Sequence, residues 1–345
     1  MLYVVLFFLL FSLLLYILLG GADFGAGIVE LFSGNRKGTR DTIYGVIGPV
    51  WEANHIWLII LMVILWTAFP LYFNVLIVYL HIPLTLILLG ITLRGVAFVF
   101  RHYDAVVGSS QFWYNWLFRI GSFVTPVFLG MTFAALVGGE IIITESYADH
   151  SFYQLFISNW FNPFCLFVGL FYAALCAFLA SSFLIGETEG AMQRLYKAYS
   201  ARYTVILVVL GFFLILYGYV NQIQFIRDFI HNPASIILVV VSGILLYPLW
   251  RSIANGNVLA NRILAGIQVV LIVLAALLAH FPNIIIAKQG EMDLLEGMAS
   301  GPTMDTLGIS LLIGGVFILP GLFHLMKSFD MIKILKRRDD GSSNG

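Results

Sequence analysis

The sequence predicts an all-helical, polytopic membrane protein with about nine membrane-spanning helices. Of its 345 residues, 61% are hydrophobic and only 10% are charged, whereas an ordinary soluble domain has about 45–50% apolar and about 25% charged residues. The mean hydropathy is +0.96, so this apolar surface cannot be hidden inside one water-soluble core. The apolar windows are about 20 residues long, which is enough to cross a bilayer. They lack the two-residue alternation of a β-barrel strand, so we expect helices.

The nine windows follow one another without an intervening soluble domain. We expect a single integral membrane domain over residues 1–338 and a polar tail over 339–345. The first window has no basic stretch before it and no small-residue cleavage site after it, so we interpret it as a retained helix and not as a signal peptide. The expected spans are residues 2–20, 46–67, 71–93, 118–138, 160–185, 203–222, 235–250, 263–285 and 306–326.

The basic residues predict the orientation of these spans, because loops rich in Lys and Arg face the cytoplasm. With nine spans, alternate loops hold sixteen of the eighteen basic residues, and the other loops hold only Arg227 and Lys288. We therefore expect the N-terminus outside and the C-terminus in the cytoplasm. The formal net charge is zero, and without a basic domain a nucleic-acid partner has no electrostatic support.

The segment 48–57, GPVWEANHIW, opens the second predicted span and carries the most informative polar residues. Glu52 and His55 are three residues apart, so they project from the same helical face near the inner boundary. Carboxylate and imidazole groups can both bind and release protons, which suggests a proton uptake site. Alternatively, Glu52 extends to the interface or pairs with a loop arginine. His81, about ten residues into the third predicted span, could continue a relay, ligate a haem, or hydrogen-bond a neighbouring helix.

A glycine-rich segment, residues 20–27, ends the first predicted span and contains Asp23. Glycines at this density allow close helix approach, and no Lys-Ser/Thr pair follows to suggest a phosphate loop. Arg94 and Arg101 lie at the inner end of the third predicted span, where they could pair with Asp23, Glu52 or lipid head groups. No metal site is predicted.

Several segments together resemble subunit II of the cytochrome bd quinol oxidases. The most specific is the G-P-x-W-[DE]-x-N-x-x-W stretch. The segments occur in the family's order through the fifth helix: GGADFGAG at 20–27, GPVWEANHIW at 48–57, FP at 69–70, LRGVAFVFR at 93–101, GSFVTPVFLG at 121–130 and NPF at 162–164. Further along the chain the resemblance rests on helix count, the HFPNI turn at 280–284 and a long outer loop before the last helix.

The resemblance implies a chain built as two four-helix bundles plus one peripheral helix, which pairs with a larger subunit I. That partner would carry the haems, either b and d or b-type only, while the complex oxidises quinol and reduces oxygen to water. The family's inward-facing acid on the second helix corresponds to Glu52, and it implies a proton path that we extend to Asp23, Asn54 and His55. Small accessory subunits and a bound quinone or lipid are also compatible with the family.

Three positions depart from the family pattern. Gly20 and Val99 stand where acids are usual, and His55 stands where Gln or Glu is usual. Two acids expected near the cytoplasmic end are thus replaced, which shifts the expected proton path toward Glu52 and His55. A secondary transporter of a small solute is the alternative prediction, although it would need more polar groups at mid-membrane than His81 and a few hydroxyls.

Overall fold

The computed structural model describes residues 1–33, 37–103 and 110–328. The predicted polar tail at 339–345 lies outside these ranges. In order along the chain, the elements are α1 (Leu2–Leu15), a π-helical turn (Tyr16–Gly20), α2 (Gly21–Phe32), α3 (Lys37–Ala68), α4 (Pro70–Tyr79), α5 (His81–Tyr103), α6 (Ser110–Val137), a 3₁₀ turn (Tyr147–Asp149), α7 (Phe152–Phe156), α8 (Pro163–Leu184), α9 (Gly190–Val220), α10 (Gln224–His231), α11 (Pro233–Asn255), α12 (Val258–His280), β1 (Ile285–Ala287), β2 (Gly290–Met292) and α13 (Gly301–Ser328).

The predicted fold class is confirmed. In the described part of the chain, eight helices are long and apolar enough to cross a membrane, and the bent pair α3–α4 brings the number to nine. Helices α1–α2, α3, α5 and α6 form one group, while α8, α9, α11 and α12 form a second group; α8 also packs extensively against α2 and α6 and thereby joins the two groups. The last helix, α13, packs on the outside of the first group against α1 and α3. This is the expected arrangement of two four-helix bundles and one peripheral helix.

The first span is longer than predicted. The helix does not end at Gly20 but passes through the π-helical turn and continues to Phe32, so it measures about 46 Å at about 1.5 Å per residue. Glycine alone disfavours a helix interior, but here the glycines allow α2 to approach its neighbours closely. Asp23 therefore lies within a packed helix and not in a terminal loop.

The third span begins later than predicted. Helix α3 ends at Ala68, and α4 leaves it at an angle of 115°. Phe69 has φ −130° and ψ 60°, and Pro70 opens α4; proline disfavours the α conformation in the residue before it, which ends α3 here. Helix α4 has ten residues, or about 15 Å, too short to cross the hydrocarbon. The crossing helix is α5, so the predicted span 71–93 is replaced by His81–Arg101.

The loops at the end of the molecule where α4 lies form a joined layer. Strands β1 and β2 pair antiparallel, and Ile141 from the segment after α6 bridges Ala287. The backbone N–H of Ala299 donates to the carbonyl oxygen of Ala68 at 2.9 Å. The layer thus connects both helical groups at the end that is rich in acidic residues.

Glycines set the distance between α2 and its neighbours, as the sequence predicts. A Cβ at Gly25 would lie 1.8 Å from the carbonyl oxygen of Cys176 in α8, and a Cβ at Gly27 would lie 2.1 Å from Ser122 Oγ in α6. The first contact is with backbone, which cannot rotate away. Helix α2 is therefore held against both α6 and α8.

We expect Gly25→Ala to destabilise the protein by about 1–3 kcal/mol or more, because the new methyl group must separate α2 from α8. The measurement is the thermal unfolding midpoint of the detergent-solubilised protein. Gly243→Ala is the matched control, because a Cβ there would meet nothing within 4 Å. Equal unfolding midpoints for the two variants would contradict the close approach.

Candidate functional site

Two buried acids lie on one face of α2. Asp23 and Glu30 are each 1% exposed. They are seven residues apart, which is close to two helical turns, so they point in the same direction about 10 Å apart along the axis. A charge in this environment is costly unless it is paired.

Two arginines with the same spacing face these acids from α5. Arg94 is also 1% exposed. Its guanidinium group forms two parallel hydrogen bonds with the carboxylate of Asp23: Nη1 lies 2.9 Å from Oδ2 and Nη2 lies 2.5 Å from Oδ1. Nη2 also donates to the carbonyl oxygen of Asp23 at 3.0 Å, and Nε donates to Ser122 Oγ of α6 at 2.8 Å. The planar guanidinium matches this bidentate geometry, which a lysine could not reproduce.

The second acid is shared between two helices. Glu30 Oε1 accepts from Arg101 Nη2 of α5 at 2.8 Å and from Arg119 Nε of α6 at 2.9 Å. Both arginines are buried. This carboxylate therefore connects α2, α5 and α6 about 10 Å from the Asp23–Arg94 pair.

Aromatic rings fill the space around the charges. The ring centroid of Phe118 lies 5.1 Å from the Cζ atoms of both Arg94 and Arg101, and Phe24 lies 5.0 Å from Arg94 Cζ. Such cation–π contacts replace part of the lost hydration of a buried guanidinium. We call Asp23, Glu30, Arg94, Arg101 and Arg119 the buried ion cluster.

Helix α3 brings further polar groups to the deeper end of this cluster. His55 is partly buried and interacts electrostatically with Asp23 and Arg94. Asn54 is 1% exposed, and its Oδ1 accepts no hydrogen bond from the described part of the chain. Glu52 lies in α3, one turn before His55, but its side chain is outside the part that the structure describes.

The structure brings together several of the candidate residues but not His81. Arg94 pairs with Asp23, whereas Arg101 pairs with Glu30. His55 lies near enough to Asp23 and Arg94 to interact with their charges, and Asn54 is the buried residue that precedes it in α3.

The mid-membrane position predicted for His81 is wrong, because α5 begins at this residue. The His81 side chain is exposed, and Nδ1 lies 2.9 Å from the carbonyl oxygen of Val78. Thirteen residues separate His81 from Arg94, which is about 20 Å along a helix. His81 therefore lies far from the buried ion cluster.

Glu30 and Arg119 were not among the candidate residues predicted from the sequence. Because the first span was predicted to end at Gly20, Glu30 was expected in the loop between the first two spans and was not recognised as a buried acid. The available signal was the matched spacing: Asp23 and Glu30 are seven apart, as are Arg94 and Arg101. Equal spacing of opposite charges on two helices favours side-by-side pairing.

The donor set of the buried ion cluster does not suit a metal cation. Three arginines surround two carboxylates, and the carboxylate oxygens Asp23 Oδ1, Asp23 Oδ2 and Glu30 Oε1 already accept from arginines. Because an added cation would be repelled by the excess positive charge, the arrangement is suited to fixing helices and to setting the electrostatic field around nearby protonatable groups.

Comparison with known proteins identifies relatives along most of the chain. The chain is 28% identical over 226 residues to the cytochrome bd ubiquinol oxidase subunit 2 of Bacillus subtilis (strain 168), an alignment that covers 65% of each chain. It is 26% identical over 205 residues to the bd-I ubiquinol oxidase subunit 2 of Escherichia coli (strain K12), covering 57% of this chain but only 52% of that protein. A second B. subtilis protein, named as a cytochrome bd menaquinol oxidase subunit II, is 25% identical over 339 residues, an alignment that covers 94% of each chain.

The fold and the family agree with these alignments. The bd oxidase structure from Geobacillus thermodenitrificans superimposes with a TM-score of 0.75 at 17% identity, covering 95% of this chain and 98% of that one. Residues 1–329 match the family described as cytochrome bd terminal oxidase subunit II. The match includes the helices that carry the buried ion cluster, and the chain therefore belongs to the cytochrome bd terminal oxidase subunit II family.

Proposed function

We propose that this chain is the non-haem subunit II of a quinol-oxidising, oxygen-reducing membrane complex. Family membership supports this assignment, together with relatives that are named as ubiquinol oxidase subunits. In this proposal, a subunit I partner holds the haems and carries out the electron transfer to oxygen. This chain supports the assembly of that partner and delivers protons from the cytoplasm. The observation that carries the proposal is the buried ion cluster with His55 of α3 beside it.

The two acids of the cluster act as positioning groups. Asp23 Oδ1, Asp23 Oδ2 and Glu30 Oε1 accept hydrogen bonds from three arginines, so a proton taken up on any of these three oxygens would disrupt such a bond. The pairs instead join α2, α5 and α6 into one unit and place fixed charges beside α3. That unit is the rigid support on which subunit I assembles.

Protons move along α3 in this proposal. Glu52 lies one turn closer to the basic end than His55, and both residue types exchange protons readily. Asn54 supports the route because its buried Oδ1 lacks a described partner, and such an atom is where an ordered water molecule is commonly held. Glu52 would take up the proton, and His55 would pass it on beside the Asp23–Arg94 pair.

The distribution of basic residues in the sequence supports the proposed orientation. Sixteen of the eighteen Lys and Arg residues fall in one set of alternate loops, and by the positive-inside rule we assign these loops to the cytoplasmic side. Protons for oxygen reduction would then enter from the cytoplasm. The transporter alternative has no specific observation in its favour among the described residues.

We expect Glu52→Ala to slow oxygen consumption by the purified complex by about 10-fold or more while the haem content stays normal, because general acid–base groups typically contribute about 10²–10⁴-fold. Glu52→Gln should be similarly slow, since it keeps the shape but cannot exchange protons. The measurement is quinol-dependent oxygen uptake per haem.

Glu145→Ala provides the matched control, because Glu145 is an exposed acid at the opposite end. Full turnover of Glu52→Gln would contradict the role of Glu52. Loss of haem from Glu52→Gln would instead point to a structural role.

We expect Arg94→Gln to destabilise the assembled complex by about 3–5 kcal/mol, because it leaves the buried charge of Asp23 without its partner. The double variant Asp23→Asn/Arg94→Gln should recover part of this loss, since neither charge remains. The measurements are the thermal unfolding midpoint and the amount of subunit I that is purified with this chain.

Asp305→Asn is the control for an exposed pair. Asp305 is 64% exposed and lies 3.7 Å from the N-terminal amine, so this change should cost less than about 1 kcal/mol. If the double variant were no more stable than Arg94→Gln, the ion pair would not be the source of the stabilisation.

A further inference from the structure

A second cluster of ionisable side chains lies in the acid-rich layer, far from the buried ion cluster. It combines Asp228 of α10, His280 at the end of α12 and Glu291 of β2. One nitrogen or oxygen atom from each side chain lies within 4.8 Å of the other two. Three separate elements thus direct their polar atoms to one place.

His280 is the buried member of this cluster. The residue is 8% exposed, and its ring stacks on Phe225 with a centroid distance of 5.4 Å and an interplanar angle of 20°. This stacking fixes the ring so that Nε2 lies 3.0 Å from Asp228 Oδ2. Nε2 is nevertheless buried without a hydrogen bond of good geometry to the described residues. The carboxylate oxygen therefore lies off the axis along which a ring N–H would point.

This off-axis arrangement is unfavourable for a hydrogen bond but natural for two ligands of one metal ion. Ligand atoms at about 2.0–2.2 Å from a shared tetrahedral zinc ion are separated by roughly 3.3–3.6 Å. The Nε2–Oδ2 distance of 3.0 Å is a few tenths of an ångström shorter, so the partly exposed Asp228 side chain must move slightly outward. Glu291 must also move to complete a three-ligand site, and a side-chain rotation can bring its oxygens closer.

The surroundings of Glu291 resemble the outer shell of a metal site. Its Oε2 accepts from Asn283 Nδ2 at 2.6 Å, and its Oε1 accepts from Gln224 Nε2. Carboxylates that bind metals are commonly oriented by such hydrogen bonds. Glu291 is exposed, and the Asp228 side chain is 43% exposed, so a hydrated ion can reach the cluster from the aqueous phase and keep a water ligand.

We propose that Asp228, His280 and Glu291 form a binding site for a divalent transition-metal ion of the zinc class. One imidazole nitrogen with carboxylate oxygens suits zinc, whereas calcium and magnesium prefer oxygen ligands alone. The ion also offsets the two carboxylate charges. Its role is structural: it ties α10 and α12 to the β-hairpin.

The hairpin connects this site to the first helical group. Tyr72 of α4 donates a hydrogen bond to the carbonyl oxygen of Met292, and Ile141 bridges Ala287. A metal ion bound by Asp228, His280 and Glu291 would thus hold the second helical group against the loop layer that covers the first helical group. The sequence alone did not reveal the site, because Asp228 and Glu291 are sixty-three residues apart and match no spaced metal motif.

The test is Zn²⁺ titration of the purified, metal-stripped complex by isothermal calorimetry, combined with thermal unfolding in Zn²⁺ or in chelator. The variants are Asp228→Asn and Glu291→Gln, which keep side-chain shape and leave the buried His280 in place. Glu296→Gln is the matched control, since Glu296 is an exposed acid in the same loop. The haem absorbance spectrum verifies that each variant is assembled.

We expect Zn²⁺ to bind the parent and Glu296→Gln with equal affinity and to raise their unfolding midpoints by a few degrees. Asp228→Asn and Glu291→Gln should each weaken this binding at least about tenfold and lose the thermal shift. The proposal is overturned if Zn²⁺ binds all four proteins equally. It is also overturned if the parent binds no Zn²⁺, in which case His280 and Asp228 form a plain ion pair.

Discussion

The desolvated pairing of Asp23 and Glu30 with three arginines joins α2, α5 and α6 at the centre of the first helical group. Placing five ionisable groups between three apolar helices is favourable only if each charge faces its partner at close range. The bidentate Asp23–Arg94 contact and the shared Glu30 meet this condition. They also fix the register, because a one-residue rotation of α2 or α5 would separate both pairs. Glycine contacts with α8 hold α2 in the same position.

The paired charges and the groups that can exchange protons lie on different helices: the paired acids are on α2, whereas His55 is on α3. Three of the four carboxylate oxygens of the buried ion cluster accept hydrogen bonds from arginines, which holds both acids in place beside α3. The exchangeable groups lie beside them on α3, where His55 interacts with Asp23 and Arg94 and Asn54 offers an acceptor without a described partner. In the proposed proton route, the separation of fixed charges from exchangeable groups lets the helices keep their packing while protons move along α3.

The fold could be predicted from the sequence because hydropathy and the positions of basic residues follow directly from the bilayer. The backbone details could not. The α3–α4 bend depends on Phe69 and Pro70 acting together with tertiary contacts such as Ala68–Ala299, and it moved His81 from the expected mid-membrane position to a helix end. The continuation of the first helix through Gly20 depends on its packing against α8, which no local propensity reveals.

The charged residues of the candidate site could be predicted where they repeat at helical spacing along the sequence, but not where distant segments bring them together. Asp23 and Arg94 were identified as potential partners, because a charge at membrane depth needs one. Glu30 could have been found from its seven-residue spacing once the helix was known to continue. His280, Asp228 and Glu291 come together only because three distant segments meet in the acid-rich layer. Their proximity could not be predicted from the sequence.

We propose that protons reach the partner from the basic end of the molecule through α3. Time-resolved proton uptake by the complex in oriented vesicles, with a pH-sensitive dye on the side of the basic loops, tests this route when the parent is compared with His55→Asn. We expect uptake from that side to slow about tenfold or more in the variant while electron transfer between the haems keeps its rate. Unchanged uptake in His55→Asn, or uptake from the acid-rich side, would contradict it.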